Sequence, residues 1–158
     1  MRQSRRILLA ITGLFGLAGC EVATPFAASG NANGTAETAM ALIAITEATL
    51  SEDSAERKVF WKNVERVEAS LDGHPGFLGM SKRIEVLGDK AWTMTAWEDQ
   101  ESLRAFVSSQ VHRRAINESS DGLSDSRFVR FEVPRSAVPV SWDKALAKLD
   151  SEGRAYWE

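Results

Sequence analysis

Chemistry in this chain has few places to run, because it carries two histidines, one cysteine and five tryptophans. His112 lies in residues 90–116, KAWTMTAWEDQESLRAFVSSQVHRRAI, together with Trp92, Trp97 and Phe106. An imidazole held among aromatic rings is partly desolvated. That lowers its pKa and keeps it neutral near pH 7, the state a general base or ligand acceptor needs. These four residues are the candidate pocket, with His112 as its catalytic group. Two plainer roles stay open for His112: a buried histidine bonded to a backbone carbonyl, and a fully exposed one. His74 sits in the turn Asp72-Gly73-His74-Pro75-Gly76 and is expected at the surface. There is no HExxH, no cysteine pair, no G-x-G-x-x-G and no G-x-S-x-G. Two isolated histidines predict no metal site. Trp61, Trp92, Trp97, Trp142 and Trp157 could line a site for a flat ligand, but Trp also dominates burial in cores and interfaces.

The elements that must position these groups follow from periodicity. Lys90–Trp97 alternates Trp92, Met94 and Ala96 against Ala91, Thr93, Thr95 and Trp97, as a strand does. Asp99 suits the N-cap of a helix starting at Asp99 or Gln100. Leu103, Phe106 and Val107 form one helical stripe, and His112, Ala115 and Ile116 repeat it nine positions on. Nine steps of about 100° turn through about 180°, so a straight helix would point the two stripes apart. Ser108 and Ser109 lie between them and weaken a helix interior. The spacing predicts two helical segments with a break there, turning His112 inward. The alternative is a straight helix with His112 facing solvent.

Upstream, Met40–Leu50 reads as a mostly buried strand, and Ser54–Leu71 as a helix capped by Asp53 with Phe60, Val64, Val67 and Leu71 on one face. Residues 77–87 read as a second strand, turned by Gly88 and Asp89 into the strand at Lys90. Downstream come a polar loop at 117–126, a fourth strand at 127–133 and a last helix capped by Ser141, with Trp142, Leu146 and Leu149 on one face. The order β-α-β-β-α-β predicts an α+β, ferredoxin-like fold with an extra C-terminal helix. Two helices shield one face of a four-stranded sheet, and the face left bare predicts a homodimer.

Arg2, Arg5 and Arg6 precede an apolar run, residues 7–18, that is short for a bilayer span and reads as an export signal. It ends in Leu17-Ala18-Gly19-Cys20. This motif resembles the bacterial lipoprotein signal, in which the cysteine is lipidated and becomes the first mature residue. Lipidation would explain a lone thiol that can form no intrachain disulfide. The resemblance implies a signal peptide at 1–19 and a lipid-anchored chain in the cell envelope. Glu21 after the cysteine implies the outer membrane, facing the periplasm, if the host is Gram-negative. Residues 20–38 are rich in Ala, Gly, Asn and Thr and read as a flexible tether, leaving 39–158 as one domain. Loss of three arginines leaves 16 Lys+Arg against 22 Asp+Glu, a formal charge of −6, so no nucleic-acid partner is expected. The expected partners are the membrane through Cys20, a second copy of the chain and a small apolar ligand.

PGFLG at 75–79 and TAWEDQESLRAFVSSQVHRRAI at 95–116 resemble the antibiotic-biosynthesis-monooxygenase-like group of the dimeric α/β-barrel superfamily, over residues 40–133. The Trp before the helix and the Phe and His within it are also similar to a subgroup of uncharacterised proteins and to spheroidene monooxygenase. The resemblance implies pairing as a dimeric α/β barrel and monooxygenase-like oxidation of a small apolar or aromatic molecule. The group holds cofactor-independent oxygenases, haem-degrading oxygenases and members without known activity, so the fold alone does not choose among them. Haem-degrading members carry a Trp and a His on the second helix. Counted without gaps from Trp97, these fall on Phe106 and Ile116, and no haem-degrading role carries over. No cofactor is expected, with haem left open. A non-catalytic envelope module that binds a small ligand or a protein is the alternative function.

Overall fold

The computed structural model describes residues 20–30 and 39–155, so the export signal expected at 1–19, residues 31–38 and Trp157 lie outside the described residues. The strands are β1 (Glu21–Ala23), β2 (Ala27–Ala28), β3 (Met40–Leu50), β4 (Phe77–Glu85), β5 (Lys90–Trp97), β6 (Leu123–Pro134) and β7 (Arg154–Ala155). The helices are α1 (Ser54–Leu71), α2 (Gln100–Val107), α3 (Gln110–Ser119) and α4 (Trp142–Glu152). They form one antiparallel sheet in the order β1-β4-β5-β3-β6-β7, with β2 also on β4. The long strands run β4-β5-β3-β6, with α1 after β3 and α2–α3 after β5, which is the ferredoxin-like arrangement.

Local chemistry sets the helix starts. The Asp53 carboxylate accepts the amides of Ala55 and Glu56 at 2.6 and 3.2 Å, and Asp99 accepts that of Ser102 at 2.7 Å. The break predicted between Leu103 and His112 is present. Ser108 ends α2, and the Ser109 hydroxyl caps α3 by accepting the His112 amide at 3.2 Å. The polar loop expected at 117–126 is shorter. α3 continues to Ser119, whose buried hydroxyl accepts from Asn63 Nδ2 at 3.0 Å, and β6 already pairs Leu123 with Leu50.

Strand alternation divides the core. Ile43, Ile45, Trp92 and Met94 face one side, and Leu42, Trp97 and the helix-facing residues the other. The first side is not bare. Phe26, Val140 and α4 pack on it, with Ala145 and Leu149 fully buried, and burying Leu149 alone contributes roughly 2 kcal/mol. The uncovered face that argues for a homodimer is therefore absent, because the helix after Ser141 fills it.

Glu47 anchors this covered side. It accepts from Trp92 Nε1 at 2.6 Å and from Arg127 Nε and Nη2 at 2.7 and 3.1 Å, with Lys90 Nζ at 3.6 Å. Arg127 also reaches Asp150 of α4 at 2.9 Å. Burial pushes the Glu47 carboxyl up, but the hydrogen bonds from Arg127 and Trp92 and the charges of Arg127 and Lys90 outweigh it and hold the pKa below its usual value. The carboxylate joins β3, β5, β6 and α4.

The stretch after Cys20, expected as a tether, instead pairs along β4: Val22 lies opposite Ile84 and Ala28 opposite Gly79. β4 would otherwise be an edge strand with unpaired backbone groups, so a segment poor in large side chains can dock by backbone bonds. Phe26 adds the apolar contact. Gly79, at φ +148°, permits this, because a Cβ there would meet the Phe26 ring and the Ala27 carbonyl at 2.5 and 2.6 Å. The second glycine of PGFLG thus has a steric reason. Among the described residues, no helix is long and apolar enough to cross a membrane.

Candidate functional site

A cavity of about 200 Å³ lies between the sheet and helices α1–α3. Its origin is visible in the strands. On the helix-facing side β3 carries Ala44, Thr46 and Ala48, and β5 carries Ala91, Thr93 and Thr95, where the opposite side carries Ile43, Ile45, Trp92 and Met94. Small side chains on the sheet floor leave space beneath α1 and α3, whose Phe60, Val64, Val67 and Ala115 make an apolar roof.

His112 lines this cavity with Phe106. Its ring hydrogen-bonds the backbone of Val107, the last residue of α2, so an N–H donates to a carbonyl left without a helical partner by the break. Burial lowers the His112 pKa; the bond to Val107 raises it and nearby His74 lowers it, and the net shift is downward. The imidazole is neutral near pH 7. This is the bonding of a structural histidine on a cavity wall.

The four predicted pocket residues separate. Phe106 and His112 meet, with ring centroids 5.0 Å apart and planes at 69°. Trp97 stands behind them, fully buried, 5.0 Å from the Phe106 ring and 5.2 Å from Phe77, and its indole donates to Thr95 Oγ1 at 3.0 Å. Trp92 borders the cavity through its place in β5, but its indole belongs to the opposite side with Glu47. The reason is strand periodicity: residues 92 and 97 differ by an odd number and point oppositely.

Three residues missed by the sequence reading belong here. His74 is half-buried, not at the open surface, and packs edge-on against Phe106 at 5.0 Å, putting that ring between two imidazoles. Glu68 of α1 and Lys82 of β4 line the cavity and pair at 2.7 Å. The signal for Glu68 was its spacing, since it falls at i+4 from Val64 and i−3 from Leu71, inside the apolar stripe. Among the described residues no group of three His, Cys, Asp or Glu could hold a metal ion. Haem fits the residues poorly. The cavity is smaller than the roughly 300–1,000 Å³ of drug-sized ligand pockets, and Phe106 and Ile116 stand at the two helix positions where the haem-degrading enzymes carry Trp and His.

Residues 39–152 match the family model of a domain of unknown function, DUF3291. The chain belongs to the DUF3291 family. Among curated proteins none matches it in sequence. In structure the DUF3291 domain is similar to SnoaB, a cofactor-independent oxygenase from Streptomyces nogalater, with TM-score 0.52 and 19% identity over 64% of this chain and 99% of that one. It is also similar to a provisionally named antibiotic biosynthesis monooxygenase from Nitrosomonas europaea, with TM-score 0.53 and 10% identity over 64% and 94%. A provisionally named monooxygenase from Lactobacillus acidophilus gives TM-score 0.51 and 12% identity over 63% of this chain, which spans about half, 49%, of that protein. At these identities the likeness is one of fold, and it bears out the resemblance to the antibiotic-biosynthesis-monooxygenase-like group.

Proposed function

We propose that this DUF3291 chain is a lipid-anchored protein of the cell envelope whose domain takes a small apolar or aromatic molecule into the cavity under α1–α3 and oxidises it, with His112 as the base. The observation that carries the reading is an apolar cavity with a neutral imidazole on its wall, in a fold shared with oxygenases. A non-catalytic ligand-binding module is the second reading, favoured by the bond that ties the His112 ring to Val107. Protein purified aerobically and extracted into organic solvent should release a bound aromatic or polyene chromophore. Oxygen uptake on adding that compound, lost in His112→Ala, supports oxidation; binding without uptake supports the second reading, and an empty extract with no binding rejects both.

The lipid anchor is proposed from the signal motif at Cys20. Cys20 is exposed, and its carbonyl accepts the Val86 amide at 2.9 Å, beside the exposed Val86 and Leu87 of the β4–β5 turn. Acylation there would seat the hairpin against the bilayer, and in a Gram-negative host that bilayer is the outer membrane, from its periplasmic side. Replacing Cys20 with Ala should move the protein from the detergent phase to the aqueous phase; retention in detergent rejects the anchor. A homodimer stays the proposed assembly, through a surface other than the sheet face that α4 fills; light scattering of the chain from Cys20 onward should give twice the monomer mass, and a monomer at micromolar concentration rejects it.

A further inference from the structure

Resting on the reading of Cys20 as the lipid anchor, we propose that the tip of the β4–β5 hairpin is a membrane-contact surface, which enters a lipid bilayer with Leu87, Val86 and Val22. Three of the five large apolar side chains exposed among the described residues gather at this one place: Val22 is 55%, Val86 51% and Leu87 90% exposed. Val22 lies opposite Ile84 in the β1–β4 ladder, and just beyond it the Val86 amide donates to the Cys20 carbonyl. The far side of the turn is fixed as well, because the Leu50 amide donates to the Asp89 carbonyl at 2.8 Å. Exposed apolar residues scattered singly need no explanation, but gathered at one spot they mark a contact surface. The position of Cys20 says with what. β1 begins at the very next residue, so no slack separates an acylated Cys20 from the folded domain. Acyl chains in the bilayer then hold the turn at the lipid surface, where Leu87 and its neighbours leave water. Three side chains are too few to hold the domain by themselves, so the acyl chains supply the attachment and the tip fixes the orientation. The charges agree. Glu21 is paired with Arg83, Glu85 accepts the Lys90 amide at 3.4 Å and Asp89 is exposed, so the tip offers no basic patch to anionic headgroups and docks by apolar burial.

Cys20 is the only thiol in the chain, so the chain from Cys20 onward, which keeps every described residue, can be alkylated there with a single myristoyl-length chain. Such a chain alone binds bilayers reversibly, at about 10⁴ M⁻¹, which leaves the contribution of the hairpin measurable. In sedimentation with phosphatidylcholine vesicles, Leu87→Ser should weaken binding about tenfold or more, the loss expected from no longer burying one leucine. Met40→Ser, which removes an exposed apolar side chain at the opposite end of β3, should leave binding unchanged. Amide exchange at residues 85–89 should slow when the wild type binds vesicles. Equal binding by wild type and Leu87→Ser overturns the proposal, as does unchanged exchange at the tip. A rise in both proteins on adding anionic phosphatidylglycerol would then assign the attachment to charge. Whether the cell acylates Cys20 is read separately by the detergent partition of Cys20→Ala, so failure of the anchor and failure of the tip give different results.

Discussion

His112 joins α2, α3 and the cavity wall, so its replacement should register in stability and in pH dependence together. His112→Ala removes the ring N–H that serves the Val107 carbonyl, a bond whose net contribution is about 0.5–1.5 kcal/mol. It also removes the edge contact with Phe106, about 0.5–1.5 kcal/mol beyond area burial. The expected loss in urea unfolding, followed by tryptophan fluorescence, is about 1–3 kcal/mol. His112→Gln keeps a donor and loses the ring, so it should fall between Ala and wild type. The sign of the pH effect follows from burial, which holds the folded pKa below the ordinary 6.5. Below pH 6.5 the unfolded chain takes up a proton that the folded chain refuses. Stability contributed by the neutral ring is thus present above pH 6.5 and is lost as pH falls from there through the folded pKa, by at most about 1.4 kcal/mol per pH unit. His112→Gln removes this component, so the gap between wild type and His112→Gln should narrow between pH 7 and pH 5. Parallel curves over that range, with His112→Ala as stable as wild type, would refute a desolvated, bonded His112 and return it to the solvent face.

Two further predictions concern the frame around the site. Glu47→Ala leaves Trp92 without its acceptor and Arg127 facing only the exposed Asp150, and should cost about 3 kcal/mol in urea unfolding; because the Glu47 pKa is held down, the wild-type advantage should be present above pH 4.5 and shrink as pH falls through the folded value, and a loss under 1 kcal/mol would reduce the network to surface pairing. Gly79→Ala places a methyl against the Phe26 ring at positive φ and should cost more than about 1 kcal/mol and speed amide exchange at Ala28 and Ser29, whereas unchanged protection would mean that β2 does not depend on this approach.

Local signals in the sequence carried furthest. Met40–Leu50, Ser54–Leu71 and Lys90–Trp97 have the boundaries their periodicity predicts, and the paired serines at 108–109 predict the helix break because caps and phase are properties of neighbouring residues. What escaped depends on partners distant in the chain. A segment like Glu21–Ala28 has too little apolar surface to announce itself and acquires structure from the β4 edge. The covering of the second sheet face required knowing that α4 folds back over Ile43, Ile45 and Met94. The site was half legible. Phe106 and His112 meet as the stripes imply, but grouping Trp92 with Trp97 set aside the alternation that separates them. The cavity had its own signature in the Ala44, Thr46, Ala48 row opposite Ile43 and Ile45, and Glu68 had one in its place within the α1 stripe.

Ala44 on the cavity floor allows the most direct test of the central claim, that the space under α1–α3 takes a small apolar molecule. Ala44→Leu adds three carbons to that floor, and filling an existing cavity commonly leaves stability unchanged or raises it by about 0.5–2 kcal/mol. Calorimetric titration of a naphthalene-sized aromatic into wild type and into Ala44→Leu should give saturable binding in the first and at least a tenfold weaker affinity in the second, with a melting temperature no lower than wild type. Equal affinity in the two proteins, or no binding to wild type, would contradict the account.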